Sequence, residues 1–278
     1  MTGTTARSLL RGVRGSRTRG VQLSGEAARV VEDLRRDGIA RTSTSALAPG
    51  SQLLEEVLSR TDDLVADQSA DIVRRRRALA GDPLAGGDAH RVDLLGASPP
   101  VDPEDPYARF LRHPQVAGIA AAHCRRDVVI WDVNGRLGLA AAASHPAPWQ
   151  RSECSGALEV HLHLTAVDGG TGPLHYVRGS HRRRGPVPRA VRALERSAHL
   201  DDAALRALLG EDACTSALGP AGTVVFLDPR GLHRTDRPTT RDRLVLHGRY
   251  AAWSARAQPV LRPAETVPRS LLPDFALV

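Results

Sequence analysis

Three ionisable side chains alternate along one short stretch of the sequence: Glu159, His161 and His163. The stretch is rich in β-forming residues and predicts a strand, in which side chains two and four positions apart share a face. Two imidazoles and a carboxylate on one face are good ligands for a transition metal. Crowded in a cavity, the same groups could instead act as general acid and base, or simply be hydrogen-bonded interior residues. All three are predicted catalytic residues, and His161 is also a predicted metal ligand.

The predicted strand begins a longer pattern of strands and turns. The segment 158–181 reads LEVHLHLTAVDGGTGPLHYVRGSH and contains the turns TGPL and VRGSH. A second segment, 219–250, reads GPAGTVVFLDPRGLHRTDRPTTRDRLVLHGRY. Together the two segments resemble the phytanoyl-CoA dioxygenase family of iron and 2-oxoglutarate oxygenases. The resemblance covers roughly Asp127 to Tyr250.

The resemblance implies a cavity that holds Fe(II) and 2-oxoglutarate. In this family, two histidines and one carboxylate occupy one face of the iron and leave the other positions open. His233 matches the second of these histidines. Arg243 matches the arginine that holds the distal carboxylate of 2-oxoglutarate in a charge-assisted pair.

The first metal-binding motif of the family, His-x-Asp or His-x-Glu after a tryptophan, is altered in this chain. The matching residues read Trp149-Gln150-Arg151-Ser152. Gln150 and Ser152 therefore occupy the positions of a histidine and a carboxylate, and they offer only neutral oxygen ligands. A site built from these two residues and His233 is expected to bind Fe(II) much more weakly than a full triad.

Three interpretations of the altered motif remain open. His161 and His163, with Glu159, could rebuild a metal site together with His233. Alternatively, the motif could shift to His145-Pro146-Ala147, which resembles the His-x-Ala pattern of related halogenases. In the third interpretation the chain keeps the fold and the pocket and binds no metal. Trp149 is a candidate for covering a substrate beside the site.

These interpretations lead to three functional hypotheses. The first is an oxygenase of bacterial specialised metabolism that acts on a small molecule with Fe(II) and 2-oxoglutarate. The second is a metal-independent enzyme on the same scaffold that uses the acid and base residues of the pocket. The third is a non-catalytic partner of an intact homologue. Fold alone does not choose among them.

The rest of the sequence predicts an α+β protein with N-terminal helices and a double-stranded β-helix core of the jelly-roll or cupin-like type. We predict a flexible basic tail over 1–22 and one domain over 23–278, helical to about 126 and β-rich over about 127–255. The predicted helices are a segment from Ser24 to Gly38, then 53–64 and 114–123, with a helical insertion over 189–209. The predicted strands are 128–133, 158–164, 223–227 and 244–250. The segment 81–106 is predicted to be a loop.

Composition limits the classes of partner and compartment. The net charge is +7, but all 38 basic residues are arginine, a bias that GC-rich coding would produce without selection for a polyanion. Only 3% of residues are aromatic, so nucleic-acid binding is not expected. The sequence contains no apolar run long enough for a signal-peptide core or a membrane span. Three cysteines without a CxxC pair favour a reducing compartment. We therefore predict a cytoplasmic protein with a small-molecule substrate and no membrane partner.

Overall fold

The computed structural model describes residues 22–84, 87–96, 101–143, 147–152, 156–197 and 200–252. The predicted tail lies outside these residues except for Gln22, and the alternative motif at His145 and Pro146 also lies outside them. In the described part of the chain, no helix is both long enough and apolar enough to cross a membrane.

Eight helices are described. The first begins after Ser24, whose side chain accepts a hydrogen bond from the Ala27 amide, and it ends at Gly38, whose φ of 81° suits glycine. This helix confirms the predicted boundaries. The helices are α1 (Gly25–Asp37), α2 (Thr44–Leu47), α3 (Leu53–Asp67), α4 (Ser69–Gly81), α5 (Pro106–Arg112), α6 (Pro114–Cys124), α7 (Pro186–Ser197) and α8 (Asp202–Leu209).

The strands form two antiparallel sheets. They are β1 (Ile39–Ser43), β2 (Arg91–Asp93), β3 (Val128–Gly138), β4 (Ala157–His163), β5 (Leu174–Val177), β6 (Cys214–Ser216), β7 (Thr223–Leu227), β8 (His233–Thr235) and β9 (Arg243–Ala252). The large sheet has the order β1-β7-β4-β9-β3-β2, and the small sheet has the order β6-β5-β8. The structure therefore mixes helices with antiparallel sheets, as the sequence predicts.

The two faces of the large sheet have different partners. Leu158, Val160 and Leu162 of β4 belong to a core cluster that includes Ile119 and Ala120 of α6. On the opposite face, Val225 and Leu227 of β7 pack with Leu174 and Tyr176 of β5. Because side chains alternate along a strand, the polar residues of β4 point away from the helices, toward the small sheet.

Several elements differ from the sequence prediction. The predicted helical part over 23–126 also contains β1 and β2, and the predicted loop over 81–106 contains β2, which pairs with β3. The helix α5 and the strands β5, β6 and β8 were not predicted. These strands have only three or four residues each, which is too short for a clear alternation of polar and apolar residues.

Candidate active site

Three side chains on the two central strands of the large sheet converge. His161 of β4 is directly opposite His247 of β9 in the strand register. Glu159 Oε2 lies 3.7 Å from His161 Nε2 and 3.6 Å from His247 Nε2. One ligand atom from each of the three residues fits within 4.8 Å of the others. We call Glu159, His161 and His247 the EHH cluster.

A carboxylate supports the cluster from the next strand. Asp132 Oδ2 of β3 lies 3.2 Å from His247 Nδ1, which is within ion-pair distance although the two groups are not aligned as a hydrogen bond. Arg136 in turn donates a hydrogen bond of 3.2 Å to the same Asp132 oxygen. This arrangement turns the Nε2 atom of His247 toward Glu159.

The cluster is largely withdrawn from solvent. The side chains of Glu159 and His161 are each 15% exposed, and that of His247 is 5% exposed. Burial lowers the pKa of His161 to about 3, so its imidazole is neutral at pH 7. Burial acts to raise the pKa of Glu159, but the imidazoles of His161 and His247 outweigh it and lower that pKa below its usual range.

Arg243 lies on the wall of the same region. It begins β9 and lines a cavity of about 300 Å³ together with Arg136, Gln150, His161 and His247, which we call the Arg243 cavity. Its Nε atom is buried without a hydrogen-bond partner among the described residues. The nearby carboxylate of Asp236 is already paired with His175 and Arg234. Burial lowers the pKa of the Arg243 guanidinium to about 10, so it stays charged at pH 7.

Two of the positions that the family resemblance assigns to the metal triad, Gln150 and His233, come together. Gln150 and His233 form an antiparallel bridge, with N–O distances of 2.8 and 2.9 Å. Both line a second cavity of about 370 Å³ with Glu159, His247 and Arg249, which we call the Glu159 cavity. Ser152 follows two residues after Gln150.

These three residues do not fit Fe(II). They offer an amide, a hydroxyl and a single imidazole, and they carry no negative charge. Arg249 donates a hydrogen bond of 3.3 Å to the Ser152 hydroxyl, which places a positive charge beside the position of the expected carboxylate. His233 points its Nδ1 atom at the Gly231 carbonyl oxygen, 2.8 Å away.

His163, a predicted catalytic residue, lies apart from the EHH cluster. His163 is on the same strand face as His161, but Val245 is opposite it, and it lines neither cavity. Burial, with the charge of Arg243, lowers the pKa of His163 to about 4. Neither His163 nor His233 is part of the EHH cluster, in which His247 joins Glu159 and His161.

Trp149 does not cover the cavity. Its indole nitrogen donates a 2.9 Å hydrogen bond to Asp202, the Arg234 guanidinium lies 4.9 Å from its ring centre, and it packs against the α7–α8 layer. Trp131 instead lines the Glu159 cavity and is 47% exposed. Of these two tryptophans, Trp131 lines a cavity and Trp149 lines neither of the two.

The predicted site residues did not include His247, Asp132, Arg136 and Arg249. A signal for two of them was present, because Arg243, Val245, His247 and Arg249 alternate with apolar or small residues along β9. Continuing the two-residue period beyond Arg243 would have placed His247 and Arg249 on the face of Arg243. Asp132 and Arg136 also alternate with apolar or small residues along β3, but the predicted strand ends at 133, before the alternation becomes visible.

No model of a known protein family and no curated protein sequence matches this chain. Solved structures do match. The structure of EctD from S. alaskensis with 2-oxoglutarate and 5-hydroxyectoine is 18% identical, with a TM-score of 0.56, and the match covers 91% of this chain and 86% of that chain.

Two further matches come from other enzymes. The non-heme alpha-ketoglutarate-dependent epimerase SnoN from nogalamycin biosynthesis is 19% identical, with a TM-score of 0.53 over 91% of this chain and 95% of that chain. AviO1 from Streptomyces viridochromogenes Tue57 is 21% identical, with a TM-score of 0.54 over 86% of this chain and 99% of that chain. At these identities the comparisons show that the chain shares the fold of this group of enzymes.

Proposed function

We propose that this chain is an oxygenase-like enzyme of the phytanoyl-CoA dioxygenase kind, built on a double-stranded β-helix, that binds 2-oxoglutarate and acts on a small molecule of specialised metabolism. The fold shared with SnoN and EctD supports this proposal. The observation that carries it is Arg243, a charged guanidinium on a cavity wall with no ion-pair partner among the described residues.

Arg243 is suited to hold one carboxylate of a dicarboxylic acid. A buried guanidinium binds a carboxylate strongly, because the charge-assisted hydrogen bonds form away from competing water. His161 and His247 line the same cavity, so the other end of the acid would face the EHH cluster. Trp131 and Arg249 line the adjoining Glu159 cavity and leave room there for a second molecule.

Iron chemistry has no fitting ligands at Gln150, Ser152 and His233. The proposed function therefore uses no metal bound at those residues. The role that we propose for this chain's own residues around the two cavities is to bind and orient the two small molecules.

The test is calorimetric titration of metal-free protein with 2-oxoglutarate. We expect Arg243→Gln to weaken binding about 30-fold, because a hydrogen bond to a charged group contributes about 1.5–3 kcal/mol. Arg241→Gln is the matched control, since Arg241 is 56% exposed and pairs with Asp168. Failure of the wild-type protein to bind 2-oxoglutarate at millimolar concentration would overturn the proposal, as would equal binding by Arg243→Gln.

A metal-independent enzyme is the second candidate function. The close approach of Glu159, His161 and His247 favours it, because neighbouring carboxylate and imidazole groups can pass a proton to and from a bound molecule. Its test is exchange of the C3 protons of 2-oxoglutarate into deuterated water, followed by NMR with a chelator present. Exchange that persists with chelator and is lost in Glu159→Gln supports this function.

A further inference from the structure

We propose that the EHH cluster is a divalent-metal site, displaced from the family position onto the facing strands β4 and β9. Binding of the metal by Glu159, His161 and His247 is independent of the proposed function. Only the use of that metal with 2-oxoglutarate rests on it. The EHH cluster offers two imidazoles and one carboxylate. Gln150, Ser152 and His233 together offer only one imidazole and no carboxylate.

The distances suit a metal. Ligand atoms that lie about 2.1 Å from a metal are about 3.4 Å apart at a tetrahedral angle. The observed separations from Glu159 Oε2 are 3.6 and 3.7 Å to the two imidazole nitrogens. These two separations exceed a hydrogen bond and are close to the distance between two ligands of one ion. The two imidazoles lie within 4.8 Å of each other, so they would move closer together when they bind one ion.

The surroundings of the cluster favour a cation at its centre. His161 Nε2 is buried and has no hydrogen-bond partner among the described residues, although it faces Glu159. Asp132 faces the far nitrogen of His247, which is the usual way in which a carboxylate orients a metal-binding histidine. A metal held here would supply Lewis-acid or redox chemistry next to the open cavities.

The nearby arginines do not occupy the centre of the cluster. Arg136 is paired with Asp132, and Arg249 reaches Ser152. Among the described residues, neither arginine forms an ion pair with Glu159, whose only ion-pair partners are the two histidines. The Glu159 carboxylate therefore keeps its negative charge available to a metal.

The experiment is a titration of metal-stripped protein with Co²⁺ alone, followed by the visible absorption of the bound ion, with Zn²⁺ as competitor. We expect one equivalent to bind with ligand-field bands of nitrogen and oxygen coordination. Glu159→Gln and His247→Ala should each weaken binding by more than about 100-fold. His113→Ala, a half-buried histidine at the start of α6, is the matched control.

His233→Ala separates the two possible positions of the metal. If the EHH cluster is the site, this variant binds Co²⁺ within about threefold of the wild-type protein. Loss of binding in His233→Ala with retention in His247→Ala would overturn the inference, as would absence of Co²⁺ binding by the wild-type protein. Because 2-oxoglutarate binding is measured without metal through Arg243→Gln, failure of the metal site and failure of the proposed function give different results.

Discussion

The hydrogen bond from Arg249 to Ser152 places a guanidinium beside a neutral hydroxyl. If position 152 matches the family's carboxylate, as the resemblance implies, serine leaves this point without a negative charge, and Arg249 adds a positive charge beside it. A cation brought to this point would meet repulsion and no anionic ligand. Restoring the ligands alone should therefore restore metal binding incompletely.

The charge of Arg249 predicts what happens when the His-x-Asp motif is introduced at positions 150 and 152. In a His247→Ala background, Gln150→His with Ser152→Asp should bind Co²⁺ weakly, because the introduced carboxylate would pair with Arg249. Adding Arg249→Leu should tighten binding by about tenfold or more, because it removes a like charge near the ion. The readout is the Co²⁺ titration. Equal affinity with and without Arg249→Leu would show that the guanidinium is not the obstacle, and adding His233→Ala should abolish the restored binding.

Asp132 is predicted to act as a positioning residue. It does not reach Glu159 or His161 but faces His247 Nδ1 from β3. Asp132→Asn should weaken Co²⁺ binding about tenfold, as is typical when the carboxylate behind a metal-binding histidine is lost. Thermal unfolding of the metal-free variant should be nearly unchanged, since Asp132 is one-third exposed. An unchanged affinity for Co²⁺ would contradict the positioning role.

At the scale of elements, a buried carboxylate joins the helical layer to the turn that precedes β8. Asp228 follows β7 and is fully buried. It lies 3.0 Å from His123 Nε2 of α6, and it accepts hydrogen bonds of 3.0 Å from the amide and Nε of Arg230. Its backbone oxygen accepts the hydroxyl of Tyr176 from β5. This network fixes the turn that carries His233.

The network predicts a pH dependence of stability. Burial acts to raise the pKa of Asp228, but the hydrogen bonds and charges of His123 and Arg230 outweigh it and hold that pKa below its ordinary value of 3.8. The pairing therefore stabilises the fold above about pH 4, and that stability is lost as pH falls through the lower native pKa. Asp228→Asn should cost about 3 kcal/mol at pH 7.

Denaturant unfolding at several pH values checks this prediction. The difference between wild type and Asp228→Asn should shrink as pH falls below about 4, because the wild-type carboxyl becomes protonated. Asp168→Asn is the control, since that carboxylate is 55% exposed. A constant difference down to acid pH would contradict the assignment.

The sequence predicts an element well when its apolar pattern extends over many residues. It predicts an element poorly when the position depends on pairing with another strand. The helices α1 and α3 and the strands β4, β7 and β9 have apolar patterns of their own. The three-residue strand β8 has none, and His233 was located through a motif resemblance alone. The resemblance assigns a role to Arg243 and none to His247, although the alternation along β9 continues past Arg243.

At the scale of the molecule, neither Trp149 nor His163 could be assigned from local sequence. The α7–α8 layer draws Trp149 away from the cavities, and that layer comes from a segment that begins more than thirty residues later in the chain. His163 shares the strand face of His161, but the register with β9 places Val245 opposite it, whereas His247 is opposite His161. Both depend on contacts between distant segments.

The position of β9 has a consequence for the order in which the protein can become functional. This strand is the last described element, yet it lies between β4 and β3, which precede it by many residues. β3 and β4 do not pair with each other. During translation, the sheet therefore cannot join them until β9 has been made. Arg243 and His247 arrive with it, so the nascent chain completes its central sheet and gains these two proposed ligand-binding groups in the same event.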